Sequence, residues 1–324
     1  MGRVGRFRVL YRVATATIRA AATILIVALI GGLDNRPDAS PTPSAHSAAP
    51  TTQVTKPVKI ASLVPAASDL IVGMGAADRL VAVSNFDVAD DRTRHLPRVG
   101  DYQTVDWEKL ATLRPDAMVV QFDPDRIPPG LRQRAEALGI AIVNTRNNRL
   151  ADVFNTLDQL GNALGLPDQA AGASARLRAQ LDAVSLRTTG RPRVRALIVT
   201  DDVGRHVVGP NTYLDDLLAL AGGENVMAAG DKPYLQIDRE RLRTLNPAVI
   251  IQLLPNATEQ EREQSRRAMA ALAGVAAVRD GRVHVIAEPW VLLPGYHVGD
   301  LAEKFAAALH PAAATTTPDG GTAR

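Results

Sequence analysis

Residues 102–115 read Tyr-Gln-Thr-Val-Asp-Trp-Glu-Lys-Leu-Ala-Thr-Leu-Arg-Pro, and residues 234–247 read Tyr-Leu-Gln-Ile-Asp-Arg-Glu-Arg-Leu-Arg-Thr-Leu-Asn-Pro. The two stretches align without a gap at an offset of 132 residues, and seven of the fourteen positions are identical. Val105/Ile237 and Lys109/Arg241 are conservative pairs, and an apolar run follows each Pro. An ungapped internal match of this kind implies two related lobes. Each copy reads as a helix start. Asp106 and Asp238 are N-cap candidates, whose carboxylates accept from free amides of the first turn. Glu108 and Glu240 fall in that turn, where the helix dipole favours negative charge. Leu110 and Leu113, like Leu242 and Leu245, turn inward at i, i+3 spacing. Pro115 and Pro247 end the helices, and the apolar runs that follow are buried strands. First-turn acids that only stabilise helix ends are common. The lobe-to-lobe match argues for a shared role for Glu108 and Glu240, because solvent-facing helix ends have little reason to stay alike.

Working outward, the first lobe starts at Val58 and runs to residue 166, and strands alternate with helices along it. Strands are expected at 60–64, 80–84, 117–121 and 141–144, and helices after Pro65 (with Ser68 as a possible cap), near 130–138 and over 150–164. Residues 168–188 carry Ala, Leu, Arg and Gln at helical spacing, opened by Pro167 and ended by Gly190-Arg191-Pro192. A connecting segment over 167–190 built on one helix of ~20 residues spans ~30 Å, a stiff strut. The second lobe, 191–310, repeats the alternation: strands at 194–200, 207–209 and 283–287, and helices at 212–220, 258–272 and 300–309. Alternation of this kind implies an α/β fold, two Rossmann-like lobes with largely parallel sheets joined by a single rigid helix.

The chain has 324 residues and no cysteine, which excludes a disulfide framework, a thiol nucleophile and a lipid-modified N-terminal Cys. Its isoelectric point of 9.4 invites a nucleic-acid reading. The basicity sits in the first 50 residues, however, where six Arg face only Asp34 and Asp38. The remainder is close to neutral and has no field to attract phosphate, so no nucleic-acid partner is expected. Residues 1–33 join an Arg-rich segment to an apolar run (residues 20–33), the plan of a cleaved secretory signal or an uncleaved anchor. Either places the remainder outside the cytoplasm. Residues 34–57 are a Pro/Ala/Ser/Thr-rich linker and 311–324 a similar tail, both expected to be disordered.

Catalytic constellations are missing. His46, His95, His206, His284, His297 and His310 are scattered without ligand spacing, so no metal site is assigned. There is no phosphate loop, no dinucleotide fingerprint and no GxSxG. Asp201-Asp202 and Asp215-Asp216 read as solvated caps. The chain is read as not an enzyme and, with nothing pointing to an oligomer, as a monomer. The few aromatics are more informative. Tyr102 and Tyr234 each stand six residues before their Glu, in the loop before a helix. Phe86 and Trp290 follow predicted strands. Ligands of parallel α/β sheets bind outside the carboxyl ends of the strands, so these four rings line an expected inter-lobe cleft for a large, flat, partly apolar ligand.

Ser62-Leu63-Val64-Pro65-Ala66-Ala67-Ser68-Asp69, Val99-Gly100-Asp101-Tyr102, Glu108 through Pro115-Asp116, Gly222-Gly223-Glu224-Asn225-Val226 and the Glu240 segment together resemble the substrate-binding proteins of ABC importers for vitamin B12, iron-siderophores and haem. The likeness covers residues 58–310 and is closest to the B12-binding branch. The resemblance implies a periplasmic or otherwise extracytoplasmic protein, secreted or anchored. It implies that Glu108 and Glu240 dock on the two permease subunits through arginines, and that the ligand is a corrinoid, or alternatively a ferric siderophore or haem. Tyr102 and Tyr234 stand where the B12 protein has Trp, and Asp69 stands where Glu is common. No resident cofactor is implied. A membrane-tethered sensor or enzyme on the same fold is the reading from another class.

Overall fold

The computed structural model describes residues 58–88, 90–101, 103–123 and 126–311. All of them belong to one compact unit. The expected signal or anchor (1–33), the linker (34–57), Tyr102 and all but the first residue of the expected tail (311–324) lie outside the described residues. Among the described residues no helix is long and apolar enough to cross a membrane.

The first lobe is a four-stranded parallel sheet built from β1 (Ile60–Ser62), β2 (Leu80–Ala82), β3 (Ala117–Val120) and β4 (Ala141–Asn144), in the order β2-β1-β3-β4. Helices α1 (Pro65–Gly73), α2 (Trp107–Leu113), α3 (Pro129–Ala137) and α4 (Leu150–Leu164) connect and cover it. The 22-residue strut α5 (Pro167–Thr188) follows. The second sheet runs β10-β9-β5-β6-β8, with β7 also paired to β5. Its strands are β5 (Val194–Val199), β6 (His206–Val208), β7 (Gly223–Asn225), β8 (Tyr234–Gln236), β9 (Val249–Leu253) and β10 (Val283–Ile286). Helices α6 (Tyr213–Leu220), α7 (Arg239–Leu245), α8 (Glu259–Ala270), α9 (Ala276–Arg279) and α10 (Val298–Leu309) complete it. The mixed α/β architecture matches the sequence reading.

Three local expectations are corrected. The turn into α1 is already helix from Pro65, with Val64 at the N-cap. Ser68 is therefore no cap: it is buried mid-helix and donates to Asp87 Oδ2 at 2.8 Å. Tyr234 does not lie in a loop, because β8 begins there. A strand not among those expected, β7, opens at Gly223 and pairs with the first half of β5.

One apolar cluster spans both lobes. It takes Ile60, Leu70 and Ile71 from the first lobe, Leu157 and Leu160 from α4, Leu177 and Leu181 from the strut, and Leu214, Leu217, Leu301 and Phe305 from the second lobe. The strut supplies small buried residues where it meets α4, namely Ala170, Ala173 and Ser174. A Cβ at Gly161 would overlap the Ala170 methyl, so the two helices approach closely only because Gly161 has none. Separate clusters on the other faces centre on Met118, Leu110 and Val99 in the first lobe and on Leu197, Ile250 and Met269 in the second. Interiors packed this way transmit strain and resist hinge opening.

A polar clasp adds to this. Arg149, at the N-cap of α4, donates through Nε to Asp216 Oδ2 at 2.9 Å and through Nη2 to the other oxygen. The same carboxylate accepts from Leu150 N (2.9 Å), and Arg149 Nη1 reaches Asn211 Oδ1 at 3.3 Å. Partial burial pushes the Asp216 carboxyl up, but the hydrogen bonds from Arg149 and from Leu150 N together outweigh it and hold the carboxyl below the usual carboxylate range. Asp215 accepts from Asn225 Nδ2 at 2.9 Å. The expectation that Asp215 and Asp216 are solvated caps is thus overturned: one closes the second lobe internally and the other ties the lobes together.

Candidate functional site

The two repeat copies fold into matching helix starts. Asp106 caps α2, accepting from Lys109 N at 3.0 Å, and Asp238 caps α7, accepting from Arg241 N at 2.7 Å. Thr112 and Thr244 each donate to the carbonyl of the Glu four residues earlier, Glu108 (3.0 Å) and Glu240 (3.1 Å). Each helix ends on a left-handed residue just before the Pro, Arg114 at φ 48° and Asn246 at φ 42°. Both Glu side chains are exposed in the first turn. The repeat therefore presents two carboxylates in the same local frame, one on each lobe.

The second feature is a cavity of about 230 Å³ where α1 and the loop after β2 meet the loop after β10. It is lined by Ser68, Asp69, Asp87, Asp90 and Thr93 from the first lobe and by Trp290, Leu293 and His297 from the second. Trp290 stacks on the His297 ring, with centroids 4.8 Å apart and planes 12° from parallel. Asp69 accepts from Tyr296 N at 2.5 Å and lies 3.5 Å from His297 Nε2, whose Nδ1 is 2.9 Å from Asp300 Oδ2. A Cβ at Gly295 would collide with the Asp69 carboxylate, so glycine there permits the close approach of backbone to acid. Burial pushes the Asp69 carboxyl up, with His297 and the Tyr296 amide acting in the opposite direction. Burial also pushes Asp87 up, to about 7, against the hydrogen bonds it accepts from Ser68 and from Ser84 N (3.1 Å). Asp90 is held low by its hydrogen bonds from Arg92. Neither Lys nor Arg is among the lining residues.

The Asp87 shift has a testable sign. The folded carboxyl binds a proton more tightly than the unfolded one, whose value is near 3.9. Stability therefore falls as pH rises from about 4 to about 7 and levels off above. Asp87→Asn is expected to melt higher than the unsubstituted protein at pH 8, a gain on the order of 2 kcal/mol, and to show no gain at pH 4. Equal melting temperatures at pH 8 would refute the assignment.

Of the four aromatics singled out from the sequence, Trp290 lines this cavity and Phe86 precedes its wall residue Asp87. Phe86 is exposed at 55% and Tyr234 at 45%, the latter on edge strand β8 rather than at the cavity. Tyr102 lies outside the described residues. Sequence reasoning missed Asp87, Asp90 and His297 as wall residues and saw Asp69 only as a departure from a pattern. The acids and His297 come from separate segments, so no spacing rule links them. Among the described residues no group of three or more ligating side chains could hold a metal ion.

Residues 60–289 match the family model described as periplasmic binding protein. A vitamin B12-binding protein of Vibrio cholerae is 24% identical over 246 residues, covering 76% of this chain and 87% of the relative. One from Yersinia pseudotuberculosis is 28% identical over 193 residues, covering 60% and 68%. The crystal structure of a periplasmic vitamin B12 binding protein of Vibrio cholerae superposes with a TM-score of 0.66 at 23% identity, over 78% of this chain and 96% of that one. A periplasmic heme binding protein from Pseudomonas aeruginosa gives 0.65 at 27% identity, over 80% and 94%.

Proposed function

The chain belongs to the periplasmic binding protein family, and from that premise we propose that it is an extracytoplasmic solute-binding protein that captures a corrinoid between its lobes. Binding proteins of this family take up small molecules and deliver them to ABC transporters. On this reading the protein, secreted or held by its N-terminal apolar segment, hands the ligand to an ABC permease on which Glu108 and Glu240 dock. It performs no chemistry on the ligand.

The observation that carries the ligand class is the lining of the cavity, which at about 230 Å³ takes one edge of such a ligand rather than the whole of it. Its polar side chains include the carboxyls of Asp69, Asp87 and Asp90 and the His297 ring, beside the flat face of Trp290. Carboxyl groups accept hydrogen bonds from amide N–H, and an aromatic wall packs against a flat ring. A corrinoid, with a cobalt cation in a ring rimmed by carboxamides, meets both demands. The propionates of haem and the carboxylates of many siderophores find no Lys or Arg among the lining residues to pair with. Relatives named as vitamin B12-binding proteins support the same class. Haem is the second reading, favoured by the 27% identity to the Pseudomonas aeruginosa heme binding protein.

Titration with cyanocobalamin, followed by tryptophan fluorescence, tests the proposal. Trp290 and Trp107 are the only two tryptophans. Saturable one-to-one quenching is expected, and Trp290→Phe should remove most of it. Binding of hemin or a ferric siderophore with no response to cyanocobalamin would overturn the corrinoid assignment. No response to any of the three would favour a sensor or enzyme.

A further inference from the structure

Strand β10 ends the second sheet: it pairs with β9, and among the described residues no strand follows it on the other side. Ile250 N donates to Arg282 O and Leu254 N to Ile286 O, each at 3.0 Å. Carbonyls of even-numbered residues therefore face β9, and the alternation along the strand turns the N–H and C=O of Val283 and Val285 the opposite way. A cavity of about 550 Å³ runs beside that free edge, lined by the consecutive residues His284 to Glu288. Successive side chains of a strand point to opposite faces, so a cavity that touches residues in unbroken succession lies along the edge rather than over one face. Arg262 of α8 and Lys304, Ala307 and Ala308 of α10 wall it in.

Two side chains of this wall hold a polar atom without a partner. Arg262 Nε and His284 Nε2 are both buried and make no hydrogen bond among the described residues. Burial, with the Arg282 charge, holds the His284 imidazole below its ordinary range, so the ring is neutral at pH 7 and has one N–H to donate. Glu288, the one acid of the lining, is already paired with Lys304. Glu259, which Arg262 Nη2 meets at 3.1 Å, lies outside the cavity wall and is shared with Arg266. A buried polar atom left unpaired is costly, and one incoming carboxylate could satisfy both.

The free edge asks for backbone amides and the two unpaired nitrogens ask for a carboxylate. We propose that this cavity takes an extended acidic peptide, which adds to β10 as a further strand and sets an Asp or Glu side chain against Arg262 and His284. β10 has four residues, so about four residues of the peptide pair with it. A second copy of this chain is the other usual occupant of a free edge. The helices beside the cavity argue against it, because the space left by α8 and α10 takes a single strand and not a sheet edge flanked by its own helices. No lining residue is shared with the inter-lobe cavity, so the peptide site stands apart from the corrinoid reading.

Panning a displayed library of random heptapeptides against the full chain tests the site. Recovered sequences are expected to share one Asp or Glu within a run of β-branched or aromatic residues, and their capped synthetic forms to bind one to one. Changing that acid to its amide should weaken binding roughly 10-fold or more, and so should Arg262→Gln combined with His284→Ala in the protein. N-methylation of alternate peptide amides should abolish binding in one register and be tolerated in the other, as a strand paired along a single edge requires. Val285→Pro removes an outward N–H while leaving the bonds to β9 in place, and should weaken every recovered peptide without lowering the melting temperature of the protein. Recovery of no peptide above a protein-free control would overturn the proposal, as would peptides that bind both variants as well as the unsubstituted chain. A dimer in sedimentation that Val285→Pro dissolves would overturn it too, by placing a second copy on the edge.

Discussion

Replacing Glu108 and Glu240 together by Ala is expected to abolish permease-dependent uptake while leaving ligand affinity unchanged. The two carboxylates are exposed and offset by 132 residues, and both sit in the first turn of a helix opened by an aspartate cap. Truncating one partner of an interfacial charge pair costs about 2–5 kcal/mol, so loss of both should lower docking more than 100-fold. Each substitution costs the protein little stability, roughly 0.3–1 kcal/mol of helix-dipole interaction per site. Stimulation of the importer's ATPase in proteoliposomes reads docking, and fluorescence titration reads affinity. Single replacements should be intermediate. Full stimulation by the double variant would sink the docking role.

The second large effect is structural. Phe305 is fully buried on α10, in the apolar cluster that joins both lobes. Phe305→Ala should cost about 3–5 kcal/mol, as the transfer and cavity costs of a buried aromatic add. Because the cluster is continuous across the lobes, unfolding should remain a single transition at lower denaturant. Circular dichroism against urea measures it. A loss under about 1 kcal/mol would mean that α10 packs loosely on the core, and two separate transitions would mean that the lobes do not share it.

Helix α4 occupies the expected span, and the strut begins at the expected Pro167. Both are long and carry their own stop signals, Gly165 and Gly190, each at positive φ. The caps Asp106 and Asp238 were legible for the same reason: a cap is satisfied within three residues. Strands β7 and β8 were not. Gly-Glu-Asn and Tyr-Leu-Gln are three residues each with no apolar alternation, and they are strands because β5 and β6 offer them ladder partners.

The amino-acid sequence by itself determined the doubling of the α/β lobe, the strut between the copies and the paired Glu108 and Glu240. These rest on periodicity, capping and repetition, which act over a few residues or compare one stretch with another. Tertiary structure alone decided which polar groups meet. Asp216 closes on Arg149 across 67 residues, and Tyr296 N reaches Asp69 across 227. Asp201 orients His206 only because the turn after β5 brings them together. A carboxylate looks the same in sequence whether it is a cap, a clasp or a cavity wall. Its burial and its partner set its charge and its role, and both arise only when distant segments pack.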